Sequence, residues 1–149
     1  MGVNNRLFSQ DAETIIWKIL NGSTELKALV NGAIYKENFR PTNSKKEDIC
    51  INTINLTQDN PQVGVFNINA YTQPIKQKIN NLEEWIPDSP KLKKIAEKIK
   101  EVIDNALILP DYTDYSFRVM NQQTMQNQDS SSKEFFQNIR IEFTIPQDQ

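Results

Sequence analysis

The 149-residue sequence predicts an α+β fold: a mostly antiparallel sheet of four to five strands with two helices packed on one face. Three observations lead there. The run from Ser89-Pro90-Lys91 to Leu107 is an unbroken amphipathic helix pattern. A second helical pattern, over residues 9–20, opens the chain. Segments of alternating apolar residues lie between the two and after the second, which gives the order helix, two strands, helix, two strands.

Residues 1–8 carry no periodic pattern and read as a flexible arm. From Ser9, residues Ile15, Ile16, Ile19 and Leu20 fall on one side of a helix that ends at Asn21-Gly22. Ser23 can cap a short further turn through Leu26, Leu29 and Val30, stopped by Asn31-Gly32. Ala33-Ile34-Tyr35 begins an extended segment, and residues 39–46 form a polar loop around Pro41. Residues 48–57 read as a strand. Ile49 and Ile51 share a parity that Ile54 and Leu56 break, so a bulge is expected near Thr53. Cys50, of opposite parity to the two isoleucines, reads as a small sheet residue rather than a reactive thiol.

Asp59-Asn60-Pro61 is a turn. In the next strand, residues 63–71, Phe66, Ile68 and Ala70 share one face, and Val63, Val65, Asn67, Asn69 and Tyr71 share the other. The two strands are expected to pair as a hairpin. Residues 72–88 are a long connection holding Pro74 and Pro87, with a helical turn expected around residues 79–85. Within it, Trp85 and Ile86 are apolar residues in polar surroundings. They either tuck over the edge of the core or anchor a partner.

Ser89 suits the N-cap of the long helix, since its hydroxyl can accept a free backbone N–H, and Pro90 suits its first position. Leu92, Ile95, Ala96, Ile99, Val102, Ile103, Ala106 and Leu107 form a single stripe, and Pro110 bars continuation. One stripe needs one surface to lie on. Tyr115, Phe117 and Val119 then alternate in a third strand. Residues 121–133 read as a long polar loop with Met125 at its centre as a candidate partner contact. Ile139, Ile141, Phe143 and Ile145 alternate in a last strand, expected to pair with the third.

Chemistry is conspicuous by what the residues exclude. With no histidine, Ser-His-Asp and Cys-His arrangements are impossible and the commonest metal ligand is missing. The four glycines, Gly2, Gly22, Gly32 and Gly64, form no phosphate-cradling motif. One cysteine allows no intrachain disulfide. Glu83-Glu84 and Asp111 with Asp114 come nearest to acidic clusters, and they read as solvated turns. The sequence therefore predicts no catalytic residues, no cofactor and no metal.

No segment approaches the roughly 20 apolar residues that span a bilayer, and the N-terminus lacks an apolar signal core. The sequons at Asn21 and Asn55 are discounted for want of that signal. The chain is expected to stay inside a cell or in a particle assembled there, with no membrane partner. A net charge of -2 creates no general attraction to nucleic acid. Lys91, Lys94 and Lys98 line up on the long helix, as do Lys93 and Lys100, although Glu97 and Glu101 interrupt them. The alternative function is therefore a small nucleic-acid-binding module using this lysine face of residues 89–108. A mean hydropathy of -0.61 and 29 asparagines and glutamines leave much polar surface, including one half-polar sheet face that either meets solvent or meets a subunit.

Several stretches resemble phage tail-completion and tail-terminator proteins. Trp17-Lys18-Ile19-Leu20, followed by Leu26-Lys27-Ala28-Leu29-Val30-Asn31-Gly32-Ala33-Ile34-Tyr35, is similar to that family's N-terminal signature of a helix leading into the first strand. Gly64-Val65-Phe66-Asn67-Ile68-Asn69-Ala70-Tyr71 resembles its second strand, and residues 88–99 resemble its second helix. The resemblance spans residues 11–145 through element order and apolar positions. The connection before the long helix is longer here than in the family. It implies a non-enzymatic subunit of a ring, commonly a hexamer, at the head-proximal end of a phage or prophage tail. It further implies contacts with tail-tube and head-connector proteins and transient, non-specific contact with DNA in the channel. The location it implies is the neck of a virion assembled in the host bacterial cytoplasm.

Overall fold

The computed structural model describes residues 6–37, 39–127 and 134–146. Its elements run α1 (Ser9–Asn21), α2 (Thr24–Leu29), β1 (Ile34–Lys36), β2 (Ile49–Leu56), β3 (Gln62–Thr72), β4 (Ile75–Ile79), β5 (Leu82–Ile86), α3 (Ser89–Ala106), a 3-10 turn (Pro110–Tyr112), β6 (Ser116–Gln126) and β7 (Phe135–Ile145). The fold is α+β, as the sequence predicts.

Five strands form one sheet in the order β1-β2-β3-β7-β6. All neighbours are antiparallel except β1 and β2, which run parallel over three residue pairs. Helix α1 packs on β1 and β2, and α3 packs on β3 and β7, so both lie on one face. The period-two alternation explains which side chains they cover. Ile49 and Ile51 of β2, Phe66, Ile68 and Ala70 of β3, and Ile139, Ile141, Phe143 and Ile145 of β7 are all buried there. They meet Ala12, Ile16, Ile19 and Leu20 of α1 and Ile95, Ala96, Ile99 and Ile103 of α3 in one core. Phe66 and Phe143 meet edge to face at 6.4 Å. Further ties fix α1 to the sheet. Trp17 Nε1 donates to the Ile34 carbonyl at 2.8 Å. Glu13, itself buried, accepts from the Glu37 amide at 3.0 Å and from the Thr53 hydroxyl.

The bulge expected near Thr53 is a register shift between Thr53 and Asn55 against β3. Ser23 caps α2 by accepting from the Leu26 amide at 3.1 Å. The cap of α3 lies one residue earlier than expected. Asp88, not Ser89, is the N-cap, its carboxylate accepting from the Lys91 amide at 3.3 Å. A carboxylate both satisfies that amide and places negative charge at the positive end of the helix, which a hydroxyl does not. Of the arm expected over residues 1–8, positions 1–5 lie outside the described residues, and Leu7 is tied to the sheet. Its amide donates to the buried Gln62 side chain at 2.7 Å and its carbonyl accepts from the same amide group at 2.9 Å.

Two connections differ from expectation. The helical turn expected around residues 79–85 is instead the β4–β5 hairpin. Asn80 and Asn81 take φ values of 51° and 66°, the left-handed pair that a two-residue hairpin turn requires and that asparagine tolerates. The polar loop expected over residues 121–133 is strand as far as Gln126. β6 continues through Asn121, Gln122, Gln123, Thr124, Met125 and Gln126, paired with β7 down to Phe135. Backbone pairing to β7 holds this stretch extended although its own side chains show no apolar alternation. The remainder of that expected loop, residues 128–133, lies outside the described residues.

Candidate functional site

The three partner-contact candidates are placed on two elements. Trp85 and Ile86 lie on β5, where the register sets Ile86 opposite Ile75 and Trp85 opposite Lys76. Neither is among the residues of the main core, and Trp85 is exposed while Ile86 is half-buried. Trp85 is 45% exposed, and the Lys76 ammonium lies over it, 5.4 Å from the ring centre. Met125 sits on edge strand β6, 39% exposed and opposite Phe136, rather than at the centre of a loop.

The hairpin projects as a separate two-stranded sheet. Alternation gives it two faces. Ile75, Gln77 and Ile79 share one with their partners Ile86, Glu84 and Leu82; Lys76, Lys78, Glu83 and Trp85 share the other. Ile75, Ile79 and Leu82 are exposed, Leu82 at 65%. Such a hairpin alone is marginal in water. Lys76 and Glu83 add a surface ion pair at 2.7 Å, which contributes little.

At its root lies a buried ionic cluster that the sequence pattern did not disclose. Arg40, in the connection between β1 and β2, donates from Nε to Asp48 Oδ2 at 2.9 Å. Its two terminal nitrogens grip the Glu134 carboxylate at 2.7 and 3.0 Å. Asp48 precedes β2 and Glu134 precedes β7, and both are buried. The remaining acceptor capacity is filled. Asp48 also accepts from the Ala33 amide at 3.0 Å and the Ser44 hydroxyl at 2.6 Å. Glu134 also accepts from the Asn127 side chain at 2.8 Å and the Gln73 side chain at 3.4 Å. The Arg40 guanidinium lies 3.9 Å from the centre of the Tyr71 ring. Burial works against its charge, but the Glu134 and Asp48 carboxylates outweigh that and raise its pKa further. With every carboxylate oxygen engaged, the cluster is a clamp rather than an acid–base pair. It fastens the β1–β2 connection, the start of β7, the end of β6 and the segment entering β4.

The sheet face turned away from the helices is built in rows. Tyr71, Phe136 and Met125 form one, Tyr71 and Phe136 with ring centres 5.0 Å apart. Cys50, Asn69, Asn138 and Gln123 form the next, and Asn138 donates to Asn69 at 2.7 Å. Asn52, Asn67, Arg140 and Asn121 follow, with Arg140 donating to Asn67 at 3.3 Å. Burial pushes the Cys50 thiol up to about 12 and the Tyr71 hydroxyl up to about 12, so both are neutral at physiological pH. A protonated, enclosed thiol is a packing residue.

The lysine face of α3 is largely occupied. Lys91 pairs with Glu47 at 3.7 Å, Lys93 with Glu97 at 3.3 Å and Lys100 with Asp104 at 2.7 Å. Lys98 lies between Glu25 at 2.8 Å and Glu101 at 2.9 Å, and both partners raise its pKa. Glu83 and Glu84 point to opposite faces of β5 and do not converge. Among the described residues no helix is long and apolar enough to cross a membrane.

The sequence signals for Arg40, Asp48 and Glu134 were slight. Charged residues in loops read as solvated, and nothing local links positions 94 residues apart. Gly32 offered the one oblique signal, because a Cβ there would collide with the Asp48 carboxylate and the Glu47 carbonyl. No protein-family model matches the chain, and no curated protein matches it with significant similarity.

Proposed function

We propose that the chain is a structural subunit of a phage or prophage tail, a tail-terminator or tail-completion protein that caps the tail tube as a ring and joins it to the head. The observation that carries this reading is the projecting hairpin. A domain with a well-filled core nevertheless holds out an apolar face, Ile75, Ile79 and Leu82, on a clamped base. An exposed apolar surface on an ordered element is a protein contact in waiting. Support also comes from the sequence resemblance of residues 11–145 to the tail-terminator family, carried by the order of helical and strand patterns and by apolar positions. On this reading the protein is not an enzyme and needs no cofactor. Its work is surface complementarity repeated by symmetry around a channel through which DNA passes without specific contact. Its neighbours are further copies of itself, commonly six in all, with tail-tube and head-connector proteins at the two ends. It acts in the neck of the virion after assembly in the bacterial cytoplasm.

The nucleic-acid alternative loses most of its motivation, because four of the five lysines that suggested it are paired with carboxylates. The test of the tail reading is genetic. The gene should lie among tail-assembly genes, and its deletion should leave tubes of uncontrolled length and heads without tails under the electron microscope. Normal infectious particles from the deletion would overturn it.

A further inference from the structure

We infer that the β4–β5 hairpin of one copy adds to the free edge of β6 in the next copy, its apolar face seated in the groove between α3 and β6. This deepens the ring reading, on which it rests, by naming the contact. The hairpin supplies one half. Among the described residues its two strands pair only with each other, so each keeps a free backbone edge. Ile75, Ile79, Leu82 and Ile86 lie together on one face.

The other half is β6. It has eleven residues and, among the described residues, pairs only with β7. Natural edges are protected by charge, proline or brevity. The opposite edge, β1, is three residues long, but residues 121–126 of β6 contain neither charge nor proline. On the helix side of that same stretch runs a groove of about 540 Å³. Ala96, Val119 and Ile139 line its apolar wall, and Gln122 and Thr124 project beside them.

Charge matches as well as shape. The apolar face of the hairpin carries a single charge, Glu84, between its two apolar pairs. The groove carries Lys93 and Lys100 against Glu97 alone. Their present ion pairs are on the surface, where exchange for a new partner is easy. Once the apolar face points to the helix side, strand alternation turns Trp85 to the opposite side, alongside the row of Met125, Phe136 and Tyr71. All three partner candidates then fall in one interface. Hairpin and groove are different surfaces, so the contact is head-to-tail, the type that closes into rings. Antiparallel pairing of two β6 edges would instead give a two-fold dimer and leave the hairpin face bare.

Full-length Leu82→Cys and Gln122→Cys proteins test this, alone and mixed, with a short bis-maleimide linker at the highest soluble concentration. Wild type, whose Cys50 is buried, is the control. A cross-linked dimer is expected in the mixture and in neither variant alone. No dimer in the mixture overturns the contact, and a dimer from Gln122→Cys alone overturns it in favour of edge-to-edge pairing. Leu82→Glu should weaken self-association about tenfold or more while leaving the circular dichroism unchanged, because Leu82 is outside the core. Unaltered association overturns the proposal. The two readings fail separately. Oligomers without the mixed cross-link remove the hairpin contact and leave the ring. The cross-link in a protein whose deletion leaves tails normal keeps the contact and removes the tail function.

Discussion

Arg40 ties together parts of the chain far apart in sequence, and the strength of that tie is set by the low dielectric around it. Asp48 and Glu134 are buried to within 2% of full enclosure, and among the described residues Arg40 is the cation that pairs with them both. Removing the cation strands two charges away from water. Arg40→Leu should therefore destabilise the fold by about 3–5 kcal/mol, read from urea unfolding at neutral pH. Restoring neutrality with Asp48→Asn and Glu134→Gln in the same protein should recover much of that loss. If Arg40→Leu is neutral, the clamp is ornamental. Cys50 gives a pH-dependent counterpart. Its thiol ordinarily titrates near 9.0, and burial moves it up to about 12 in the fold. The native state thus keeps a proton that the unfolded chain has lost between those values. Stability from this group is fully present below pH 9.0 and declines as pH rises toward 12, at up to about 1.4 kcal/mol per pH unit. Tyr71 titrates upward in an overlapping window. Cys50→Ala should make the alkaline fall in unfolding free energy shallower without abolishing it. An unchanged slope would mean that the thiol is not enclosed.

Elements were legible in the sequence wherever one period dominated. The α3 stripe, the α1 stripe, the alternation of β7 and even the slip in β2 follow from apolar spacing alone. The β4–β5 hairpin was not legible, because Ile79, Leu82 and Ile86 also stand at helical spacing, three and four residues apart. What decides the contest is the Asn80-Asn81 turn, whose left-handed backbone no helix would supply. Replacing both asparagines by alanine should destabilise the hairpin by about 1 kcal/mol per residue. Hydrogen exchange at its amides would report this, with the core amides unaffected. Asn81→Gly should leave exchange as slow as in wild type or slower. The same logic applies at the α3 terminus, where two adjoining polar residues, Asp88 and Ser89, both suit a cap by type and only the backbone decides between them. Asp88→Ala should cost about 1 kcal/mol of stability, and Ser89→Ala much less. The reverse order would return the cap to Ser89. Half of β6 is not legible as strand for a different reason: its amide side chains declare no face, and its strand state is imposed by β7.

At the scale of the whole molecule the question is which surfaces are left to act. The helices cover one sheet face, and hydrogen bonds among asparagines and Arg140 occupy much of the other. The clamp closes the end where the hairpin emerges. Backbone edge and exposed apolar side chain coincide on β6 and on the hairpin, which is the chemistry of protein contact rather than of phosphate binding. Charge agrees. The chain carries a net charge of -2, and the α3 lysines largely face acids of their own helix or of α2 and the loop before β2. Phosphates would have to displace those carboxylates, and a short row of cations cannot release enough counterions to compensate. The full-length protein should therefore give no mobility shift with duplex or single-stranded DNA in low-salt buffer at concentrations where self-association is visible. The Lys94→Gln, Lys98→Gln double variant should behave identically. A shift in wild type that weakens with added salt and disappears in the double variant would restore the lysine face as the working surface and leave the hairpin a secondary feature.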